Sequence, residues 1–231
     1  MAGELILTID TSTTAGSVAL CRGEQLLAEI VIDSLSNHSD RLLIHVQQLL
    51  TEQQCELAAI DAFAVIDGPG SFTGLRVGVA AAKGLARACN RPLYGISSLH
   101  TLAAALPYAT LPVCALLDAR KKEVYTATFS TAKGSPALLD EPRAITPQRL
   151  LETMAAPALF IGSGAILYRD LIVERFGVLA AFAPWPLHTP RASSAAPLAL
   201  QLLRSGAEGD PEQLLPRYIR PSEAEIAQKK G

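Results

Sequence analysis

The chain has 231 residues, 49% of them hydrophobic and 18% charged, a composition that suits one large or two smaller hydrophobic cores and excludes a disordered chain. Its formal net charge of −2 argues against a protein that grips nucleic acid by itself through a broad basic surface. Four scattered cysteines with no C-x-x-C pair read as buried thiols, and neither a secretory start nor a membrane-length apolar run is present, so the expected location is the cytosol.

The first element is a short apolar run, Leu5 to Ile9, that ends in Asp10 and a polar turn, Thr11 to Gly16. Two further strands follow, Ser17 to Cys21 and Leu26 to Ile32. Apolar residues at Leu42, Leu43, Val46, Leu49 and Leu50 then mark one face of a helix over Ser39 to Glu52. A strand (Ala62 to Ile66), a helix (Phe72 to Ala88), a strand (Leu93 to Ile96) and a helix (Ser98 to Leu106) complete the first half, with Pro107 to Pro112 as the linker.

The second half opens as the first did. Val113 to Leu117 is apolar and ends in Asp118, Ala119 to Glu123 is polar, and Val124 to Phe129 returns as a strand. A looser repeat follows: a helix over Pro147 to Met154, a strand over Leu159 to Ile161, the turn Gly162-Ser163-Gly164, and helices over Ile166 to Phe176 and Ser193 to Ser205. The pattern predicts an α/β protein of two lobes, 1–106 and 107–231, each a mixed sheet flanked by helices and built from a duplicated hairpin-plus-α/β unit.

An aspartate at the end of a buried strand, followed by hydroxyl-rich turn residues, suits a phosphate chain with a magnesium ion. The recurrence at Asp10-Thr11-Ser12 and at Asp118 with Arg120 strengthens that expectation, and Gly162 and Gly164 add a close-approach turn for the rest of a nucleotide. Other templates fail. There is no phosphate loop with its lysine, no G-x-S-x-G elbow and no H-E-x-x-H, and the four histidines include no pair at i, i+4. No catalytic residue and no metal ligand is assigned.

Between Gly68 and Gly78 a strand turns through Gly-Pro-Gly into a helix with small residues at Gly74, Gly78, Ala82 and Ala86. Residues four apart share a helix face. On pattern alone this bare stripe suits packing within the chain first and a protein–protein face second.

Taken together, Asp10 to Thr13, Asn37-His38, Gly68 to Gly78, Asp118-Ala119-Arg120 with Glu123-Val124-Tyr125, Gly162 to Gly164 and Pro216 to Arg220 resemble the bacterial TsaB family, nearly end to end. The resemblance implies two actin-like (ribonuclease H-like) lobes. It also implies a non-catalytic role in threonylcarbamoyladenosine modification of the tRNA adenosine beside the anticodon. Its implied partners are a TsaD-like catalytic subunit, a TsaE-like ATPase and a second copy of itself as a homodimer, with tRNA reached indirectly. Where the catalytic relative supplies two histidines to its metal, this chain has Ser98 and Leu102, which removes stand-alone transferase and metallopeptidase readings.

The same resemblance turns the small-residue stripe into the expected partner face, comprising Gly74, Leu75, Gly78, Val79 and Ala82 with His38, Leu42 and His45 from the preceding helix. Weakly held ATP or ADP with magnesium at a subunit interface is the cofactor it leaves room for. The competing reading is a small ATP-dependent phosphotransferase of the actin and sugar-kinase type that uses the Asp10 and Asp118 hairpins.

Overall fold

The computed structural model describes residues 3–33 and 38–220, with the side chains of 32–33 and 38–40 outside the description. Two five-stranded sheets carry the fold. In the first, β1 (Leu5–Asp10), β2 (Ala15–Arg22) and β3 (Gln25–Asp33) form an antiparallel meander, and β4 (Ala62–Gly68) and β5 (Leu93–Ser97) add in parallel, giving the order β3-β2-β1-β4-β5. In the second, β6 (Val113–Asp118), β7 (Val124–Ser130), β8 (Ala137–Ile145), β9 (Leu159–Ile161) and β10 (Ala181–Phe182) repeat the order as β8-β7-β6-β9-β10. The duplication anticipated from the two aspartate-ended strands therefore extends through every strand.

Helices α1 (His38–Glu52) and α2 (Phe72–Cys89) cover one face of the first sheet. Successive residues of a strand point to opposite faces, so Leu7, Ile9, Phe63 and Val65 meet α1 and α2 while Ile6, Ala62, Ala64 and Ile66 face the other way. That second face is covered by α7 (Ala192–Arg204), whose Ala195 and Ala199 approach the small Ala62 and Ala64 side chains. With both faces covered, the strands read as continuous apolar runs rather than alternating ones.

The chain divides into two compact units, one reaching to Thr101 and including Pro190–Pro216, the other Leu102–Thr189 with the segment from Arg217. The lobes expected at 1–106 and 107–231 differ from these in that residues 102–106 belong to the second unit and residues 190–216 return to the first, where the alanine face of α7 fits the first sheet. In the second unit α4 (Pro147–Thr153), α5 (Ser163–Leu167) and α6 (Arg169–Phe176) accompany the sheet; Leu150, Leu151, Ala165 and Ile172 pack with Cys114, Leu116, Val124 and Phe160.

Two second-unit strands escaped the sequence reading. β8 pairs only with β7, carries Asp140, Glu141 and Pro142, and shifts register between its partners Thr126 and Thr128. An edge position is where a residue without an N–H is tolerated. β10 has two residues, too few for any periodicity. The helix expected over Ile166 to Phe176 is instead two, broken at Tyr168 (φ −111°, ψ 27°), and the one expected over Ser98 to Leu106 is α3 (Ser98–Ala104).

Candidate functional site

In the first unit β1 delivers Asp10 to the C-terminal end of a central strand, between β2 and β4. Asp10 is fully buried, and its Oδ1 accepts the Ser12 N–H at 2.8 Å. Thr11 Oγ1 donates to the Gly74 carbonyl at 2.7 Å, and the Ser12 carbonyl accepts the Ser71 N–H at 2.7 Å. Ser71 in turn caps α2 by accepting from the Gly74 N–H. The turn after Asp10 thus holds the start of α2 by backbone and hydroxyl bonds together.

Three glycines of this segment, Gly70, Gly74 and Gly78, pack directly on that turn. A Cβ at Gly70 would collide with the Ser12 carbonyl oxygen, one at Gly74 with the Thr11 carbonyl oxygen, and one at Gly78 with Thr11 Oγ1. At the same end of the sheet Ser98 Oγ donates to the Pro69 carbonyl at 2.5 Å. Gly68 has φ 132° and is joined to Pro69 by a cis peptide bond.

Burial pushes the Asp10 carboxyl up to about 7, with nearby Glu29 adding to the rise and the Ser12 N–H opposing it. Asp10 Oδ2 and Ser12 Oγ are buried and have no hydrogen-bond partner among the described residues. Two neighbours on β2 and β3 serve α7 instead: Ser17 Oγ accepts the Ala192 N–H at 2.8 Å, and Glu29 Oε1 accepts the Ser193 N–H at 3.0 Å. They satisfy donors at the helix start that would otherwise lack partners. Asp67, buried at the end of β4, is a further carboxylate absent from the sequence-based set; Gly95 lies so close that a Cβ there would press on its oxygen. Its only signal in the sequence is its place just before Gly68-Pro69-Gly70.

The second unit repeats the aspartate turn down to its hydrogen bond. Asp118 ends β6, and its Oδ1 accepts the Arg120 N–H at 2.9 Å, the same i to i+2 relation as Asp10 with Ser12. Ser163 Oγ accepts the Asp118 N–H at 3.2 Å. Gly162 (φ 106°) is a glycine because a side chain would collide with the Leu116 carbonyl, and Gly164 packs on Leu116 and Val124. Both serve the approach of the loop to β6. His188 fixes that loop, its Nδ1 accepting the Gly162 N–H at 3.1 Å and its Nε2 donating to the Ala183 carbonyl at 2.9 Å.

In the Asp10 turn the Thr11 hydroxyl and the Ser12 carbonyl are committed to α2, which leaves the buried Asp10 Oδ2 and Ser12 Oγ without a protein partner among the described residues. Burial raises the Cys21 and Cys114 thiols to about 11, which makes these two poor nucleophiles. Among the described residues no group of three His, Cys, Asp or Glu side chains is placed to hold a metal ion.

The family model for TsaD, tRNA N6-adenosine threonylcarbamoyltransferase, matches residues 25–228. The tRNA threonylcarbamoyladenosine biosynthesis protein TsaB of Bacillus subtilis is 32% identical, over 95% of this chain and 96% of that one. The protein of the same name from Escherichia coli is also 32% identical, over 93% and 94%. A solved Pseudomonas aeruginosa structure described as similar to peptidase YeaZ superimposes with a TM-score of 0.81 at 33% identity, covering 94% of this chain and 100% of that one. The chain belongs to the TsaB family.

Within this TsaB-family chain, Ser98 and Leu102, the two positions the resemblance sets against metal-binding histidines, are both fully buried. Ser98 donates to Pro69, and Leu102 lies against Gly162. The expected partner face requires correction. Gly74, Leu75, Gly78, Val79 and Ala82 are buried in the first unit's core, as is Leu42 of α1, so the stripe is already occupied by the Thr11–Ser12 turn and the sheet. His45 is half-buried. His38 opens α1, but its side chain lies outside the described residues, as does Asn37. The outward face of the same two helices carries Leu43 and Ile44, 53% and 62% exposed, with Thr73, Ala80 and Gly84 of α2.

Proposed function

We propose that this chain acts in tRNA threonylcarbamoyladenosine biosynthesis as a subunit without a catalytic centre of its own. Its work is to bind a TsaD-like catalytic subunit, in a complex joined by a TsaE-like ATPase, and tRNA is reached through that complex in the cytosol. The observation that carries this reading is the near full-length similarity to proteins named for that pathway, in a chain whose Ser98 and Leu102 are packing residues. No helix among the described residues is long and apolar enough to cross a membrane.

The contact surface in this reading is the outward face of α1 and α2, around Leu43, Ile44, Ala80 and Gly84. Two adjacent helices with exposed aliphatic and small residues suit a helical pair from the catalytic subunit or, in its absence, from a second copy. The phosphotransferase alternative asks Asp10 to position a hydrated metal, and its full burial, with one oxygen engaged by the Ser12 N–H, weighs against that. The test is reconstitution of the tRNA modification from purified subunits with and without this chain, alongside the mass of the assembly. Full activity of the catalytic subunit and ATPase without this chain overturns the proposal.

A further inference from the structure

The duplicated aspartate turns have diverged in a way the family role does not explain. After Asp10 the chain runs through uncharged Thr11 and Ser12, which α2 covers. After Asp118 the corresponding turn carries Arg120, Lys121 and Lys122, all exposed, and each has a left-handed backbone, with φ of 60°, 51° and 62°. A side chain on such a backbone crowds the adjacent carbonyl, and single residues rather than runs are the rule. Only three other non-glycine residues among those described, Gln54, Asn90 and Tyr108, have positive φ, and none is adjacent to another.

The turn is held from below. Ala119 N–H donates to the Glu123 carbonyl and Glu123 N–H to the Arg120 carbonyl, both at 3.0 Å. Arg220 braces it, donating from Nη1 to Glu123 Oε2 at 2.7 Å and from Nη2 to the Ala119 carbonyl at 3.2 Å. The two nearby carboxylates are thus engaged inward, Glu123 by Arg220 and Asp118 by the Arg120 backbone, with the Arg120 guanidinium 3.8 Å from Asp118 Oδ2. Among the described residues the turn and its brace bring four cations, Arg120, Lys121, Lys122 and Arg220, beside the two carboxylates of Asp118 and Glu123.

A left-handed turn mirrors the α-helix and separates successive side chains by about 100° around its axis. The exposed Lys121 and Lys122 are therefore set in different directions instead of converging on one compact anion, while the Arg120 guanidinium stays near Asp118. A fan of flexible cations fits a string of phosphates spaced along a strand. We propose that the β6–β7 turn of this chain is a contact for the sugar–phosphate backbone of RNA. The proposal rests on the tRNA-modification reading, which places RNA beside this protein, and adds a direct contact to it.

The test is filter binding of tRNA by the full chain across a salt series, with Lys121→Gln/Lys122→Gln and Lys121→Arg/Lys122→Arg as variants. The wild type should bind at low salt. The glutamine pair should weaken binding about tenfold and reduce the slope of log affinity against log salt by about 1.4, the equivalent of two phosphate contacts. The arginine pair should keep both. Absence of tRNA binding by the wild type at low salt, or an unchanged slope in the glutamine pair, overturns the contact. Reconstituted modification with the wild-type chain is scored separately, so a failed functional reading is distinguishable from a failed contact.

Discussion

Thr11 and Gly74 are locked in both directions: Thr11 Oγ1 donates to the Gly74 carbonyl at 2.7 Å, and the Thr11 carbonyl oxygen occupies the space a Gly74 side chain needs. The glycines of α2 therefore form a socket for the chain's own aspartate turn. Gly74→Ala forces backbone against backbone and should destabilise the protein by about 3 kcal/mol. Gly78→Ala meets only the Thr11 hydroxyl, which can rotate once its bond is broken, and should cost about 1–3 kcal/mol. A Cβ at Gly84 would meet nothing within 4 Å, so Gly84→Ala should stabilise α2 by about 0.5–1 kcal/mol. Urea unfolding of the three variants checks this order, and equal effects at Gly74 and Gly84 would refute the socket.

Moving the partner face to the outside of α1 and α2 changes which substitution should separate binding from folding. Ile44 is 62% exposed, so Ile44→Asp should alter stability by no more than about 0.5 kcal/mol. Buried against a partner helix, the same carboxylate lacks a counter-charge and should prevent association. Size-exclusion chromatography with the catalytic subunit reads this directly. Unchanged co-elution removes α1 from the interface.

Asp10 should make stability fall as pH rises. Its folded carboxyl titrates near 7, above the ordinary value of 3.8, so between those values the folded state holds a proton that the unfolded state has released. The stabilisation is complete below about pH 4 and lost through pH 7, with an upper bound of about 4 kcal/mol. Asp10→Asn keeps an oxygen for the Ser12 N–H and cannot ionise. Its melting temperature should vary less between pH 5 and 8 than the wild type's, by an amount assignable to this one group. Parallel pH profiles for the two proteins would contradict the assignment.

Much of this fold is legible in the sequence because burial on both faces leaves long apolar runs ending in punctuating residues. β1, β4 and β6 stand out for that reason, and the matching Asp10 and Asp118 expose the duplication. β8 does not stand out, because an edge strand with one neighbour tolerates Asp140, Glu141 and Pro142. Nor does the return of α7 to the first unit, since an alanine face says that something small lies opposite without saying where in the chain. The small stripe of α2 has the same ambiguity: spacing identifies a bare face, and only the structure identifies Thr11 as what fills it. The left-handed path of Arg120 to Lys122 has no sequence signature, because none of those residues is a glycine or asparagine.

The nucleotide question has a definite expected answer for the isolated chain. A phosphate chain with magnesium needs free N–H and hydroxyl donors beside an ionised carboxylate. At the first turn the Ser12 N–H is taken by Asp10, the Thr11 hydroxyl by Gly74 and the Ser71 N–H by Ser12, and the Ser12 hydroxyl and Asp10 Oδ2, though without a partner among the described residues, are buried away from solvent. At the second, the Arg120 N–H is taken by Asp118, and Gly162 and Gly164 are filled by contacts with β6 and β7. Calorimetry of the purified chain with ATP and magnesium should therefore give no binding in the micromolar range. Micromolar binding that needs magnesium and disappears in Asp10→Ala would mean that the turn opens to a nucleotide, and would restore the phosphotransferase reading.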